Sequence, residues 1–397
     1  MASVRLPIKV HHFQNISVIV VSESNKTSIN EMLQLYAEEC SLGEKGKSIR
    51  WLQNSLPWKH LNLEVELPQF RKRMSGSFDG RSTESSAKEK FKKLQTVIPL
   101  ESIIDLSESS IGEPVSFKLF TNRGDELNVD GNDLSLIYFA ARIDTFWRGA
   151  HNEPPTRILD IGGGYGGLVG KLAKLFPSAK ITLIDTPEGN LLQTFYLQKL
   201  FPDTDIAITN QSPETLNRFD AKFSIMPIRQ FDLLFNFEWD LILNTRSMQE
   251  MDPEDITLYF DLIHKKLRNG GLFYNANQLT GGAAGVPYNI SRSPYDDNWA
   301  LLSANTSFLQ ADNFEICSLR LNFKNEVFRR YLKTLPTNNI WRTGLWSYRR
   351  KPLMLVDQLG ASLAPKFWFI LKKTTRFFRR KIMRRKYNDI RSFKLLR

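Results

Sequence analysis

Residues 157–167 read Arg-Ile-Leu-Asp-Ile-Gly-Gly-Gly-Tyr-Gly-Gly, and this stretch decides the fold class. A short apolar run breaks into glycines and continues as an amphipathic segment, which is typical of a strand, a tight turn and a helix start. Glycines let a ligand approach the backbone, and a helix N-terminus offers unpaired N–H groups. A second apolar run, Lys180–Asp185, ends in an acid at the spacing of a ribose-binding carboxylate. The pattern predicts a nucleotide-like cofactor.

The glycines fit two templates. Gly162, Gly164 and Gly167 match the G-x-G-x-x-G pattern of dinucleotide sites, whereas a G-x-G-x-G turn uses Gly166 instead of Gly167. Asp160 favours the second template, because a carboxylate at the mouth of the turn would repel a pyrophosphate. The same carboxylate would attract the sulfonium and ammonium groups of S-adenosylmethionine. A nicotinamide or flavin site is one alternative, and a turn that binds nothing is another.

The turn resembles motif I of the class I S-adenosylmethionine-dependent methyltransferases, in which an acid and a hydrophobic residue precede G-x-G-x-G. The resemblance implies that Asp160 and the glycine turn hold the methionine portion and that Asp185 bonds the ribose hydroxyls. The expected cofactor-binding residues are Asp160, Gly162, Gly164, Gly166, Asp185 and Asn244.

Alternating strands and helices over residues 151–350 predict an α/β, Rossmann-like class I methyltransferase fold, with a mostly parallel seven-stranded sheet covered by helices on both faces. Residues 1–150 are expected to form an α/β or helical extension that covers the site or recognises substrate. The predicted strands are 16–21, 157–161, 180–185, 206–209, 223–226, 239–244, 272–276, 314–321 and 345–350. The predicted helices are 30–39, 130–147, 165–176, 187–201 and 253–267, the last capped by Asn269-Gly270-Gly271.

The polar run 244–252 follows the fourth strand of the predicted core and should face the cofactor's methyl group. Methyl transfer to a hydroxyl needs an aligned acceptor and a base, and Glu250 is the best-placed carboxylate. Arg246 and Gln249 are expected to orient hydroxyls or a sugar carboxylate. Asp252 is expected to cap the helix that starts at Pro253, and capping is also the alternative role of Glu250.

The loop 275–288 is rich in amides and glycines, which suits a polyhydroxyl ligand, and Asn277 is expected to bind substrate there. An ordinary solvent loop is the alternative. Histidine and carboxylate spacing indicates no metal site, although an ion held by Glu250, Asp252 and a distant acid is a further alternative.

Taken together, these motifs resemble the bacterial sugar O-methyltransferase family over about residues 100–290. The resemblance implies a methyltransferase that acts on a sugar hydroxyl of a surface polysaccharide or of its lipid-linked precursor. The motifs that carry it are Ile-Gly-Glu-Pro (111–114), residues 160–167, Ile-Asp-Thr-Pro-Glu (184–188) with Gln193 and Tyr196, and Asn-Thr-Arg-Ser-Met-Gln-Glu-Met (244–251).

The tail, residues 366–397, contains thirteen Lys and Arg residues and a single acid, Asp389, which accounts for the whole net charge of +12. A nearly neutral body makes a broad nucleic-acid-binding face unexpected. Aromatic and aliphatic residues interleave with the tail's bases, which predicts an interfacial helix on an anionic membrane.

The chain has two cysteines and no apolar run long enough to span a membrane, so we expect a cytoplasmic enzyme. The basic residues 366–397, within a C-terminal region expected at 351–397, would bind it to the inner face of the cell membrane. A tail packed on the body, an RNA methyltransferase guided by the tail, and an inert cofactor-binding module are the alternatives.

Overall fold

The structure is a computed structural model that describes residues 29–41, 62–73, 82–121, 124, 126–208, 220–281, 288–310 and 313–335. The strands in these ranges are β1 (Phe117–Phe120), β2 (Glu126–Val129), β3 (Arg157–Ile161), β4 (Lys180–Asp185), β5 (Ile206–Ile208), β6 (Phe223–Pro227), β7 (Trp239–Thr245), β8 (Leu267–Gln278), β9 (Thr280–Gly281), β10 (Tyr288–Asn289), β11 (Trp299–Thr306) and β12 (Asn313–Arg320).

The α-helices in the same ranges are α1 (Ile29–Ser41), α2 (Leu63–Glu66), α3 (Phe70–Arg73), α4 (Glu84–Leu94), α5 (Leu100–Leu106), α6 (Gly131–Ala150), α7 (Gly167–Leu175), α8 (Pro187–Leu200), α9 (Pro253–Lys266) and α10 (Glu326–Lys333). Short 3₁₀ segments lie at Leu67–Gln69, Ile228–Asn236, Met248–Glu250 and Ile290–Arg292. None of these helices is both long and apolar enough to cross a bilayer.

A single large sheet organises the described chain. Its strand order is β11-β12-β8-β7-β3-β4-β6-β5, and the six strands from β8 to β5 are parallel. Strand β12 runs antiparallel to both of its neighbours. This arrangement confirms the predicted Rossmann-like fold of class I methyltransferases. The sheet has eight strands where seven were expected.

Two apolar layers cover the sheet, and alternation along the strands separates them. In β7, Leu241 and Leu243 join the cluster that contains α6, α7 and α8, whereas Ile242 joins the cluster that contains α9 and α10. Successive side chains of a strand point to opposite faces, so helices cover both faces as predicted.

Most predicted elements of the core occur within one or two residues of their expected bounds, and β3 and β4 match at both ends. The cap predicted for α9 was wrong, because the helix ends at Lys266 and β8 begins directly at Leu267. Strand β11 was not predicted. The strands expected at 16–21 and 345–350 lie outside the described residues, as does the tail.

The residues that precede β3 pack onto the α6–α8 face through a buried charge network. The Arg71 guanidinium is fully buried, pairs with Asp130, and lies 3.3 Å from Glu108 Oε2. On α7, Lys171 Nζ lies 2.5 Å from Asp133 Oδ1. Removal of one partner from such a buried pair typically costs roughly 3–5 kcal/mol. This N-terminal layer, which consists of the described residues between 62 and 150, is therefore fixed against the helix that follows the glycine turn.

Candidate functional site

A cavity lies at the carboxyl ends of β3, β4 and β7, where the strand order reverses direction and where ligands of open α/β sheets bind. It encloses about 870 Å³, which includes open solvent at its mouth. Its lining consists of Leu136, Gly162, Gly163, Gly164, Tyr165, Gly167, Leu168, Ile184, Asp185, Thr186, Ile228, Thr245, Arg246, Ser247, Glu250, Met251, Asp255 and Tyr259.

The glycine turn forms one wall of the cavity. Gly162, Gly164 and Gly166 have φ values of +69°, +61° and +86°, a region that residues with a Cβ rarely adopt. A Cβ at Gly162 would also overlap the Ser247 side chain. The turn therefore requires glycine for its backbone conformation and for its close packing. Gly162 and Gly164 line the cavity, whereas Gly166 begins α7 behind them.

Asp185, the predicted ribose-binding acid, lies at the end of β4 and lines the cavity. Its Oδ2 accepts hydrogen bonds from the Gly164 amide at 3.0 Å and from Gln193 Nε2 at 3.1 Å. Burial raises the pKa of this carboxyl to about 7, although hydrogen bonds from the Thr186 and Gly164 amides oppose that rise. Asp185 is thus oriented by the turn and titrates close to neutral pH.

Asp160 does not lie at the mouth of the turn, where the sequence placed it. Its carboxylate is fully buried beneath Gly163, whose added Cβ would meet Asp160 Oδ2 at 2.7 Å. Neither oxygen has a hydrogen-bond partner among the described residues. Burial, together with the nearby Asp185 carboxylate, raises the pKa of Asp160 to about 8. The predicted fixed negative charge at the cavity entrance is therefore not supplied by this residue.

Three amides predicted to contact ligands are instead used inside the protein. Asn277 Nδ2 donates to Asn244 Oδ1 at 2.8 Å, and Asn277 Oδ1 accepts from the backbone N–H of Gln249 at 3.2 Å. Gln249 Oε1 in turn accepts from the amide of Gln278 at 2.7 Å. None of the three lines the cavity. They fasten the loop after β7 to β8, so the structure gives them a positioning role.

Arg246 and Glu250, the other two predicted residues of this loop, do line the cavity. Arg246 has a φ of +62°, unusual for a residue with a Cβ, and its amide donates to the Ala276 carbonyl at 2.7 Å. Glu250 is 4% exposed. The two side chains are close enough that the Glu250 charge acts on the pKa of Arg246, which burial lowers. A cation and a candidate base thus share one end of the cavity.

Two cavity residues on α9 were not predicted as site residues. Asp255 and Tyr259 are four positions apart, so they share one face of the helix. Burial raises the pKa of Asp255, and the neighbouring acids Asp252 and Glu254 raise it further. An acid in the first turn of a helix is so common a stabilising feature that sequence alone gave no reason to assign Asp255 to the site. The predicted N-cap, Asp252, occupies that position without a capping hydrogen bond from its side chain.

The charged lining is mostly acidic. Among the described residues, the charged side chains that line the cavity are Asp185, Glu250 and Asp255 and one cation, Arg246. Within the part of the chain that the structure describes, no three His, Cys, Asp or Glu side chains are grouped to hold a metal ion.

The comparisons with known proteins give fold-level neighbours of low similarity. No protein-family model matches the chain, and no curated protein matches it. Among solved structures, mitomycin 7-O-methyltransferase MmcR is 14% identical with a TM-score of 0.33, over 47% of this chain and 54% of that one. The chain thus aligns with about half of that enzyme's length.

Two further neighbours are similarly distant. A TehB-like SAM-dependent methyltransferase from Corynebacterium glutamicum is 16% identical with a TM-score of 0.31, over 46% of this chain and 87% of that one. Human N-acetylserotonin methyltransferase is 16% identical with a TM-score of 0.27, over 48% and 56%. Likenesses of this size do not bear on what the chain binds, and membership of the sugar-methylating family stays a prediction.

The buried Asp160 carboxyl should make stability depend on pH. Its pKa is raised on folding, so the folded chain holds this proton more tightly than the unfolded chain and loses stability as pH rises from about 4 to about 8. Asp160→Asn removes that loss. The difference in thermal unfolding midpoint between variant and wild type should therefore widen from about pH 5 to about pH 8, measured by circular dichroism without ligand.

The exposed Asp261, which pairs with Lys265 on α9, provides the matched control. Asp261→Asn should show a difference from wild type that hardly changes over the same range. A constant difference for Asp160→Asn would contradict the burial of an unsatisfied carboxyl under the turn.

Proposed function

We propose that this chain is an S-adenosylmethionine-dependent methyltransferase that methylates a sugar hydroxyl. The observation that carries the proposal is the acidic lining of the cavity: among the residues that the structure describes, Asp185, Glu250 and Asp255 line it together with one cation, Arg246. A diphosphate bridge would meet net negative charge there, whereas a sulfonium and an ammonium group would be attracted.

The residues present fit such a cofactor. Gly162, Gly163 and Gly164 bring bare backbone to the cavity wall, and Asp185 lies at the end of β4, where nucleotide-cofactor sites place the carboxylate that bonds a ribose hydroxyl. The first amides of α7 have no intrahelical acceptors, and Gly167 and Leu168 line the cavity, so the helix start suits the carboxylate of the amino-acid head. When bound, S-adenosylmethionine supplies an electrophilic methyl group.

Glu250 is the proposed general base. Its carboxylate lines the cavity and is nearly excluded from solvent, on a loop that the Gln249 and Asn277 hydrogen bonds fix in place. A sugar hydroxyl is a weak acid, so a carboxylate that accepts its proton as the new bond forms would lower the barrier. The sugar class itself, as part of a surface polysaccharide or its lipid-linked precursor, rests on the family resemblance over residues 100–290.

Cofactor class is tested by calorimetry with S-adenosylhomocysteine and with NAD. S-adenosylhomocysteine should bind and NAD should not, because of the acidic lining. With the pKa of Asp185 near 7, affinity for S-adenosylhomocysteine should rise about tenfold between pH 6 and pH 8, since ionised Asp185 is the better acceptor for ribose hydroxyls.

Asp185→Asn should weaken that binding and flatten the pH profile, whereas Asp261→Asn, on the exposed face of α9, should change neither. Tight binding of NAD, with none of S-adenosylhomocysteine, would overturn the methyltransferase proposal.

Loss of the base should slow turnover without weakening the cofactor. We expect Glu250→Gln to reduce labelled-methyl transfer to a polysaccharide or glycolipid fraction by about 100-fold or more, with S-adenosylhomocysteine affinity within about threefold of wild type. Asp255→Asn removes a different acid of the lining and serves as the control, and it should reduce methyl transfer much less than Glu250→Gln does. Undiminished transfer by Glu250→Gln would remove the base assignment.

The basic tail, residues 366–397, is proposed to attach the enzyme to an anionic membrane, where lipid-linked glycans are accessible. Deletion of these residues should abolish co-sedimentation with vesicles that contain anionic lipid, and wild type should not bind neutral vesicles. If the deletion instead leaves vesicle binding unchanged and abolishes retention of RNA on a filter, the RNA methyltransferase alternative is favoured.

A further inference from the structure

Arg246 has hydrogen-bonding capacity that the described residues do not use. Among the described residues its guanidinium donates one hydrogen bond, from Nη2 to Asn132 Oδ1 at 3.3 Å. A guanidinium carries five N–H donors in a planar fork that matches a carboxylate or a phosphate. Because Arg246 lines the cavity, the remaining donors are available to a ligand there.

Arg246 has an unfavourable backbone conformation at the point where its side chain lines the cavity. A φ of +62° is rare for a residue with a Cβ, and such outliers concentrate at functional sites. The Arg246 amide is fixed to the Ala276 carbonyl of β8. The side chain therefore projects from a turn anchored to the central sheet, as a recognition residue requires.

A second cation reinforces the charge at this end of the cavity. Lys90 of α4 donates to the Gly131 carbonyl at 2.7 Å and to Ser135 Oγ at 3.1 Å. Arg246 bonds Asn132 and Lys90 bonds Gly131, two consecutive residues at the start of α6, so the two cations lie near each other. The acid near Lys90, Asp130, is already paired with Arg71. Arg246 and Lys90 thus place two cations near this end of the cavity, where Glu250 is the lining acid of the same loop.

We propose that Arg246, supported by Lys90, binds a carboxylate or phosphate group of the acceptor, so that the acceptor is an acidic or phosphorylated sugar. The inference rests on the proposed methyltransferase function. It assigns the anion to the acceptor because Arg246 lies beside Glu250, the proposed base, whereas the start of α7 already suits the cofactor's own carboxylate.

The test measures binding of glucose, glucuronate and glucose 1-phosphate to the full chain saturated with S-adenosylhomocysteine, by calorimetric titration. In wild type, at least one anionic sugar should bind about tenfold or more tightly than glucose. Preference for glucuronate identifies a carboxylate, and preference for glucose 1-phosphate identifies a phosphate. Arg246→Gln should abolish the preference, and Arg246→Lys should retain part of it.

Arg329→Gln, on the exposed face of α10, is the matched control and should leave the preference intact. Equal binding of all three sugars by wild type would overturn the proposal, as would a preference that survives in Arg246→Gln. Thermal unfolding of each variant verifies that it is folded.

A competing role in cofactor binding is separated by two further ligands. S-adenosylhomocysteine carries the amino-acid head, and 5′-methylthioadenosine lacks it. If Arg246 binds the acceptor, Arg246→Gln should bind S-adenosylhomocysteine within about threefold of wild type. A tenfold loss confined to S-adenosylhomocysteine would place the arginine on the cofactor's carboxylate and overturn the proposal. Failure of wild type to bind either ligand would instead overturn the proposed function, and sugar preference would then be measured on the free protein.

Discussion

The contact between the glycine turn and the end of β4 is the constraint on which the site depends. The Gly162 amide donates to the Ile184 carbonyl at 2.8 Å, and the Gly164 amide donates to Asp185 Oδ2 at 3.0 Å. These two bonds fix the turn to the neighbouring strand and orient the Asp185 carboxylate together. A side chain at Gly162 would displace Ser247 and with it the loop that follows β7. The positions of the turn, the acid and the loop are therefore interdependent.

The N-terminal layer extends this constraint to the other side of the turn. Arg71 lies 5.0 Å from the centre of the Tyr165 ring, and Phe70 packs on the same ring at 5.5 Å. Tyr165 lines the cavity, so one of its walls is supported by residues almost a hundred positions earlier. The buried pair of Lys171 and Asp133 fixes α7 to α6 in the same region. Loss of these contacts would therefore alter the position of the glycine turn.

The sheet centre could be predicted because β3 and β4 are short apolar runs that end in glycine or an acid, and buried parallel strands carry that signal. Strand β11 lies at the sheet edge, and its Ser, Ala and Asn residues gave no comparable signal. The glycines after α9 resembled a helix cap, but Gly270, with a φ of +76°, lies within β8 near a register shift against β7.

Only part of the candidate site could be predicted from the sequence. Asp185, Arg246 and Glu250 follow strands of the core, and topology alone brings them to one edge of the sheet. Asn244, Gln249 and Asn277 lie in the same segments, but sequence does not reveal which amides satisfy one another. Their hydrogen bonds cross from the loop after β7 to β8, a pairing that only the folded register determines. The sequence likewise did not show that the Asp160 side chain is buried under the turn.

The protonation states of Asp160 and Asp185 depend on each other. Burial raises the pKa of both Asp160 and Asp185, and the Asp185 charge raises that of Asp160 further. Two buried carboxyls so close together ionise one at a time, and Asp185 is the one stabilised by amide hydrogen bonds. A ligand that donates hydrogen bonds to Asp185 would stabilise its anion and thereby hold the proton on Asp160 more firmly. Attraction for a cation in this cavity must then come from Asp185, Glu250 and Asp255, which belong to three different segments of the chain.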